Sequence, residues 1–304
     1  MNSHFGEFAA LLTALFWTIT ALAFESASKK VGSLAVNILR LSIAFIFLSF
    51  YTWISRGLFF PSDASLHGWM WLALSGLVGF VIGDLLLFQA FVVVGARISM
   101  LIMSLAPPIA AITGWLILGE KFTLQNTAGM AITLSGIALV VLNRTPKSGL
   151  AGKRGMRFSY PIAGLLLAFG GAAGQGVGLV LSKLGMQEYD AFASSQIRVI
   201  AGVVGFAVVF TTLGKWSSVR LAFNNMPAMK RLTLGAFFGP FLGVSFSLLA
   251  IQHTNTGVAS TIMSIVPVLI IAPAVFINKE KLTLREVLGA LLAVAGVSLF
   301  FITF

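Results

Sequence analysis

Apolar residues run along this chain in blocks of about twenty, separated by short polar gaps. Crossing roughly 30 Å of hydrocarbon at about 1.5 Å per residue needs about 20 apolar residues in a helix, because backbone polar groups away from water must be satisfied within the segment. The blocks predict spans at about 6–24, 34–54, 68–92, 97–118, 125–143, 160–182, 192–213, 231–250, 257–277 and 284–303. The expected fold is therefore an all-α membrane protein of ten transmembrane helices. Block length argues against a β-barrel, whose strands would be about ten residues long and alternate with period two. The longer gaps, 56–67, 143–159 and 214–227, carry the turn residues and leave no room for a separate soluble domain.

Offsetting the chain against itself by 160 aligns residues 83–139 with 243–299 without a gap, and 14 of the 57 pairs are identical. Gly83, Met103, Ser104, Pro107, Glu120, Lys121, Thr123, Leu124, Gly129 and Gly136 recur as Gly243, Met263, Ser264, Pro267, Glu280, Lys281, Thr283, Leu284, Gly289 and Gly296. Upstream, Arg40 recurs as Arg198 at an offset of 158. An odd number of spans per copy forces the second copy to enter the membrane from the other side. The expectation is two inverted five-helix repeats, 1–144 and 159–304, joined by a basic loop at 145–158. Such symmetry suits rocking of one bundle against another around a site near the bilayer midplane.

Composition narrows the class. Of 304 residues 58% are hydrophobic and 10% charged, against about a quarter charged in a soluble domain. The 20 basic and 9 acidic residues leave a net charge of +11, but the basic ones lie in the polar gaps rather than in a stripe, so no nucleic-acid partner is expected. Membrane lipid and a small-molecule solute are the expected partners, with protons as a candidate coupling ion and a monomer as the expected state. The absence of cysteine removes disulfides, zinc-thiolate sites and thiol nucleophiles. The three histidines, His4, His67 and His253, lie in gaps or at span ends with no metalloprotease or acidic-pair motif, so no enzyme, metal or cofactor is expected. Ala21-Leu22-Ala23 imitates a signal-peptidase site, yet no Lys or Arg precedes it, so the segment reads as a retained first span.

Lys and Arg number about 15 in the gaps after the odd spans and 3 in those after the even ones, Arg56, Lys121 and Lys183. The positive-inside rule then places the 144–157 loop in the cytoplasm and both termini outside.

Two five-span halves, each with a proline-closed helix, a short Gly119-Glu120-Lys121 or Lys279-Glu280-Lys281 turn and a Gly-rich last helix, resemble the EamA branch of the drug/metabolite transporter superfamily. That resemblance covers nearly the whole chain. It implies a ten-helix basket with a central cavity in the inner or plasma membrane, exporting amino acids or related metabolites; multidrug or nucleotide-sugar carriers of the superfamily and a passive channel are the alternatives. It also implies cytoplasmic termini, contrary to the charge count, and the chain's own charge asymmetry is the stronger ground. Residues 300–304 lack the family's usual basic tail, and Lys279 stands where Gly is usual.

Candidate chemistry follows from what is costly in lipid. Pro107 and Pro267 should kink mid-span and free the carbonyls of Met103 and Met263 beside the hydroxyls of Ser104 and Ser264. Asp84 is the one carboxylate well inside a span, a candidate for binding a substrate amine or a proton. Arg40 and Arg198, near the starts of their spans, are structural or gating candidates through snorkelling or interhelical ion pairs. Trp17, Gln175, Ser245 and Thr261 add polar groups at depth, while Phe80, Leu87, Met100 and Trp115 offer apolar lining for an amino-acid-sized amphipathic solute. Glu120 and Glu280 are expected to cap the helices they open, with gating as the alternative. Gly170, Gly174 and Gly178 should let another helix approach closely. The run 174–178 imitates a dinucleotide loop without the preceding strand that such a loop requires.

Overall fold

The structure is a computed structural model that describes residues 4–141, 161–276 and 284–299, and these are helical apart from short connections. In the first half the helices are α1 (Phe5–Val31), α2 (Ser33–Arg56), α3 (Leu66–Gly76), the π-helical segment π1 (Leu77–Gly83), α4 (Asp84–Val93), α5 (Gly95–Met103), α6 (Ala106–Leu118) and α7 (Leu124–Val141). In the second they are α8 (Ile162–Met186), α9 (Ala191–Leu213), α10 (Trp216–Phe223), α11 (Met226–Ala236), π2 (Phe237–Gly243), α12 (Val244–His253), α13 (Thr256–Met263), α14 (Val266–Leu269), α15 (Ile271–Phe276) and α16 (Leu284–Ser298). Among the described residues seven helical runs are long and apolar enough to cross a membrane, with Ala106–Leu118 and Val287–Ser298 as shorter apolar helices. The protein is thus a multi-pass membrane protein.

Local chemistry sets the ends. Side chains of Ser65, Asp190 and Asn225 accept the backbone N–H three residues on and so cap α3, α9 and α11. Gly119 ends α6 at φ +65, a left-handed conformation that costs glycine little. Large apolar side chains such as Phe8, Ile46, Phe50, Ile112, Leu116, Val204 and Leu166 are exposed on the outside of the bundle, a surface that only lipid tolerates.

Close packing uses the glycines. Along α8, a Cβ on Gly170 would lie 2.5 Å from Leu86 Cδ1, one on Gly174 2.6 Å from the Cα of Gly83, and one on Gly178 3.2 Å from the Cα of Gly79, so α8 lies directly against π1 and α4. Helices α7 and α16, at equivalent places in the duplication, pack on each other through Gly136 against Ala293 and Gly296 against Thr133.

The structure adds to the sequence reading, or departs from it, at several points. Residues 216–223, read as part of a polar gap, form α10, a short helix with exposed Trp216, Leu221 and Phe223 beside Arg220. Eight residues are too few to register as a span, and aromatic and basic residues of this kind suit the membrane–water interface. The kinks at Pro107 and Pro267 take the form of two-residue turns: α5 and α13 stop at Met103 and Met263, Leu105, Ser264 and Ile265 keep right-handed helical dihedrals, and α6 and α14 begin with each proline in the first two positions. There its missing N–H costs nothing. Trp115, offered as cavity lining, is 61% exposed on the outer face of α6. The loop 145–158, the Lys279-Glu280-Lys281 turn and residues 300–304 lie outside the described residues.

Candidate binding cavity

The duplication places paired irregularities at the centre of the bundle. The π segments Leu77–Gly83 and Phe237–Gly243 are offset by 160, as are the helix breaks at 104–105 and 264–265. π-helical turns widen a helix by one residue and recur at functional sites. Here they bring Phe80 and its counterpart Pro240 to one cavity. Nothing in the glycine-rich apolar sequence of these segments distinguishes a π turn from an α turn.

That cavity encloses about 590 Å³ including its open side. Both halves line it. Trp17, Phe80, Asp84, Leu87, Met100, Met103 and Gln175 face it, together with Arg40, Arg198, Phe24, Phe88, Phe91, Pro240 and Val244. A smaller space of about 390 Å³ shares Trp17, Met100, Met103 and Gln175 and continues to Ser104, Pro107, Ser260, Met263, Ser264 and Pro267. Ser245 and Thr261 line neither: Thr261 Oγ1 donates back to Gly257 O at 2.7 Å, and Ser245 Oγ is buried without a partner among the described residues. Other polar groups at depth join helices, as Gln196 Nε2 does by donating to Ser49 Oγ and Phe59 O, each at 2.8 Å.

The charges are arranged unequally. Arg40 on α2 is 4% exposed and its Nη2 donates to Asp84 Oδ2 at 2.5 Å, an ion pair between α2 and α4. Its Nε donates to Asn37 Oδ1 at 3.1 Å, and Asn37 Nδ2 in turn donates to Ser33 O at 3.2 Å and Asp84 O at 3.3 Å. The guanidinium also stands 4.6 Å from the Phe88 ring centre. Arg198 on α9 is 2% exposed and stands 4.8 Å from the Phe80 ring centre. Its Nε has no hydrogen-bond partner among the described residues and it makes no direct ion pair among them, although the charge of Asp84 also acts on it. Neither arginine snorkels. Two buried cations and one carboxylate leave the cavity with one positive charge in excess.

One end of the bundle is tied across its halves. Glu120, in the turn after α6, is 8% exposed; its carboxylate accepts from the Thr256 N–H at 3.0 and 3.1 Å, accepts from Thr256 Oγ1 at 2.5 Å, and pairs with Lys183 Nζ at 2.8 Å. Lys183 Nζ also donates to Thr254 O at 2.7 Å, and Thr254 Oγ1 to Glu7 Oε1 at 3.1 Å. Glu120 therefore caps α13 of the other half rather than α7, the helix it was expected to open. At the start of α7 it is Thr123 Oγ1 that accepts, from Asn126 N at 3.1 Å. Glu280 lies outside the described residues.

At the same end Arg56 pairs with Asp63 at 2.5 Å and Tyr189 Oη donates to Asp63 Oδ1 at 2.7 Å. Partial burial pushes the Asp63 carboxyl up, but bonds from Tyr189 and its own backbone, with the Arg56 charge, outweigh this and hold it below the usual carboxylate value. Burial and the Asp63 acceptor push the Tyr189 hydroxyl up to about 12.

Comparison with known proteins gives this geometry its context. A solved crystal structure superposes with a TM-score of 0.68 at 17% identity, covering 97% of this chain and 96% of the other, which shows a shared fold. The solute carrier family 35 member G1 proteins of Homo sapiens and Mus musculus are 26% and 27% identical over 150 and 135 residues. Those stretches are 49% and 44% of this chain but only 40% and 36% of the relatives, so the match spans less than half of their length. The EamA-like transporter family matches residues 4–142 and again 162–302. With two copies of that unit covering almost all of its length, the chain belongs to the EamA-like transporter family and is not an enzyme.

Proposed function

We propose that the protein is a secondary transporter that exports small amphipathic metabolites of amino-acid size by alternating access, its ten spans forming two inverted five-helix halves around the cavity. The observation that carries this reading is that both halves supply the lining from equivalent irregular elements: π1 with π2, and the breaks before Pro107 and Pro267. Irregular backbone at membrane depth is tolerated where it is buried in protein or faces a wet cavity, and paired irregularities provide two similar hinges. The Glu120–Lys183–Thr256 contact closes the solute path at its end of the bundle. Export is the direction the family resemblance favours, and the lysine- and arginine-rich face is the cytoplasmic one on charge grounds. The protein works as a monomer in lipid.

A multidrug cation exporter would need a carboxylate free to meet its cargo, whereas Asp84 is already held by Arg40. A nucleotide-sugar carrier would need several free cations converging on the diphosphate, and the cavity offers one in excess. Proteoliposome counterflow with a panel of amino acids, purines and cationic dyes tests the proposal. The expectation is saturable uptake of an amino-acid-sized solute, accelerated by the same solute inside. Flux that neither saturates nor responds to internal solute would mark a channel and end the carrier reading.

A further inference from the structure

Arg40 and Arg198 are equivalent positions of the duplication, yet only the first is satisfied. Arg40 bonds Asn37 through Nε and Asp84 through Nη2. The counterpart of Asn37 at the offset of 158 is Ser195, and that of Asp84 at the offset of 160 is Val244. Neither partner has an equivalent in the second half. The consequences are visible: Arg198 Nε and Ser195 Oγ are each buried without a hydrogen-bond partner, and Val244 presents an apolar side chain to the cavity that Arg198 also lines. Asp84, hydrogen-bonded to Arg40, is the carboxylate whose charge also reaches Arg198, so one carboxylate serves two buried cations, and a buried polar group left without its own hydrogen bond is costly unless a ligand meets it.

We infer that Arg198 is the anion anchor of the cavity, and that the carboxylate missing at position 244 is supplied by the transported solute. The inference rests on the reading of this cavity as the transport site and narrows its cargo to monocarboxylates with an apolar body. One excess positive charge matches one carboxylate; a phosphate monoester near two negative charges would leave part of its charge unmet. A planar guanidinium fits a carboxylate through paired N–H bonds. Phe80, Phe24 and Trp17 provide the apolar surface for the rest of the solute. An amine on the same solute finds neutral acceptors such as Gln175, not a free carboxylate, so an amine alone is a poor ligand.

The test uses the full chain in nanodiscs and three probes of nearly equal shape: hydrocinnamate, hydrocinnamamide and phenylpropylamine. Calorimetric affinity and the thermal unfolding midpoint are read for each. Hydrocinnamate should bind about 10- to 100-fold more tightly than the amide or the amine, the range a charge-assisted hydrogen bond supports. Arg198→Gln should abolish that preference and Arg198→Lys retain part of it. Val244→Asp restores the symmetric partner: it should raise the unfolding midpoint while removing hydrocinnamate binding, a paired result that a merely structural arginine does not produce. Val244→Asn, which adds an acceptor without charge, should weaken binding and serves where the aspartate variant does not fold. Absence of any carboxylate preference in the wild type, whether all probes bind alike or none binds, overturns the inference, as does a preference that survives Arg198→Gln. Counterflow by a cavity without this preference would leave the transport reading standing and the anchor fallen. Arg198-dependent binding without counterflow of the bound acid would do the reverse.

Discussion

Replacing Glu120 by alanine removes three hydrogen bonds from Thr256 and the ion pair with Lys183 in one step, and every one of these contacts crosses between the two halves. A hydrogen bond to a charged group contributes about 1.5–3 kcal/mol, but bonds sharing one carboxylate are not additive. Lys183 is 26% exposed and keeps the Thr254 carbonyl, so its ion pair counts for less than a buried one. A total near 3 kcal/mol is a reasonable magnitude, which shifts a two-state equilibrium by about two orders of magnitude toward opening at this end. Because the chain has no cysteine, a single introduced thiol reports that opening without further engineering. Ser260 lies one turn inward from Thr256, is buried, and lines the smaller space, so Ser260→Cys should react slowly with an impermeant maleimide added on the Glu120 side. Exposed Ser62, in the loop at the same end, gives the Ser62→Cys reference for sidedness. Glu120→Ala should raise the Ser260→Cys labelling rate at least about tenfold with the reference unchanged, and Glu120→Gln, which keeps an acceptor for Thr256, should fall between. A rate that stays within about twofold of wild type would refute the gate, since a latch of this size cannot be lost without shifting the population.

Two further outcomes follow from the charges. Asp84→Asn removes the carboxylate that pairs with Arg40 and whose charge also reaches Arg198, and should lower stability by about 3–5 kcal/mol, with Arg40→Gln in the same chain recovering much of the loss; denaturation in detergent measures both, and a variant of wild-type stability whose transport has lost its pH dependence would instead identify Asp84 as a proton carrier. At the loop end, the Asp63 carboxyl is held below its ordinary value, so its contribution to stability is present above about pH 4 and is lost as pH falls through the depressed value, whereas the Tyr189 contribution is present below about pH 10 and is lost as pH rises through about 12. Unfolding midpoints measured across both ranges should flatten at the acid side in Asp63→Asn; an acid slope unchanged by that substitution would show that other groups set it.

What the sequence made legible follows from how lipid constrains a chain. Block length, the glycines of α8 and the recurrence at an offset of 160 could be read directly, because each reflects a constraint that acts along one segment. Orientation about a helix axis could not. Helix α6 is apolar nearly all round, so nothing in its pattern distinguished exposed Trp115 from the buried face that carries Ala110 and Gly114. The partner of Glu120 was equally hidden, since Thr256 is 136 residues away and only the packing of the halves brings it near. The duplication nevertheless held more than its identities conveyed. Where aligned residues agree, as at Gly136 and Gly296, they mark a shared packing need that any five-helix copy would have. Where they disagree opposite a retained charge, as Asp84 does with Val244, a requirement met within one copy is left open in the other. A buried arginine whose positions equivalent to Asn37 and Asp84 hold Ser195 and Val244 is difficult to account for as packing alone, because an apolar side chain of similar volume would avoid the desolvation cost altogether. On the proposed reading, the symmetry of the halves would supply the two conformations a carrier needs, and its breach at Arg198 would give the cavity a preference for one charge of solute over the other.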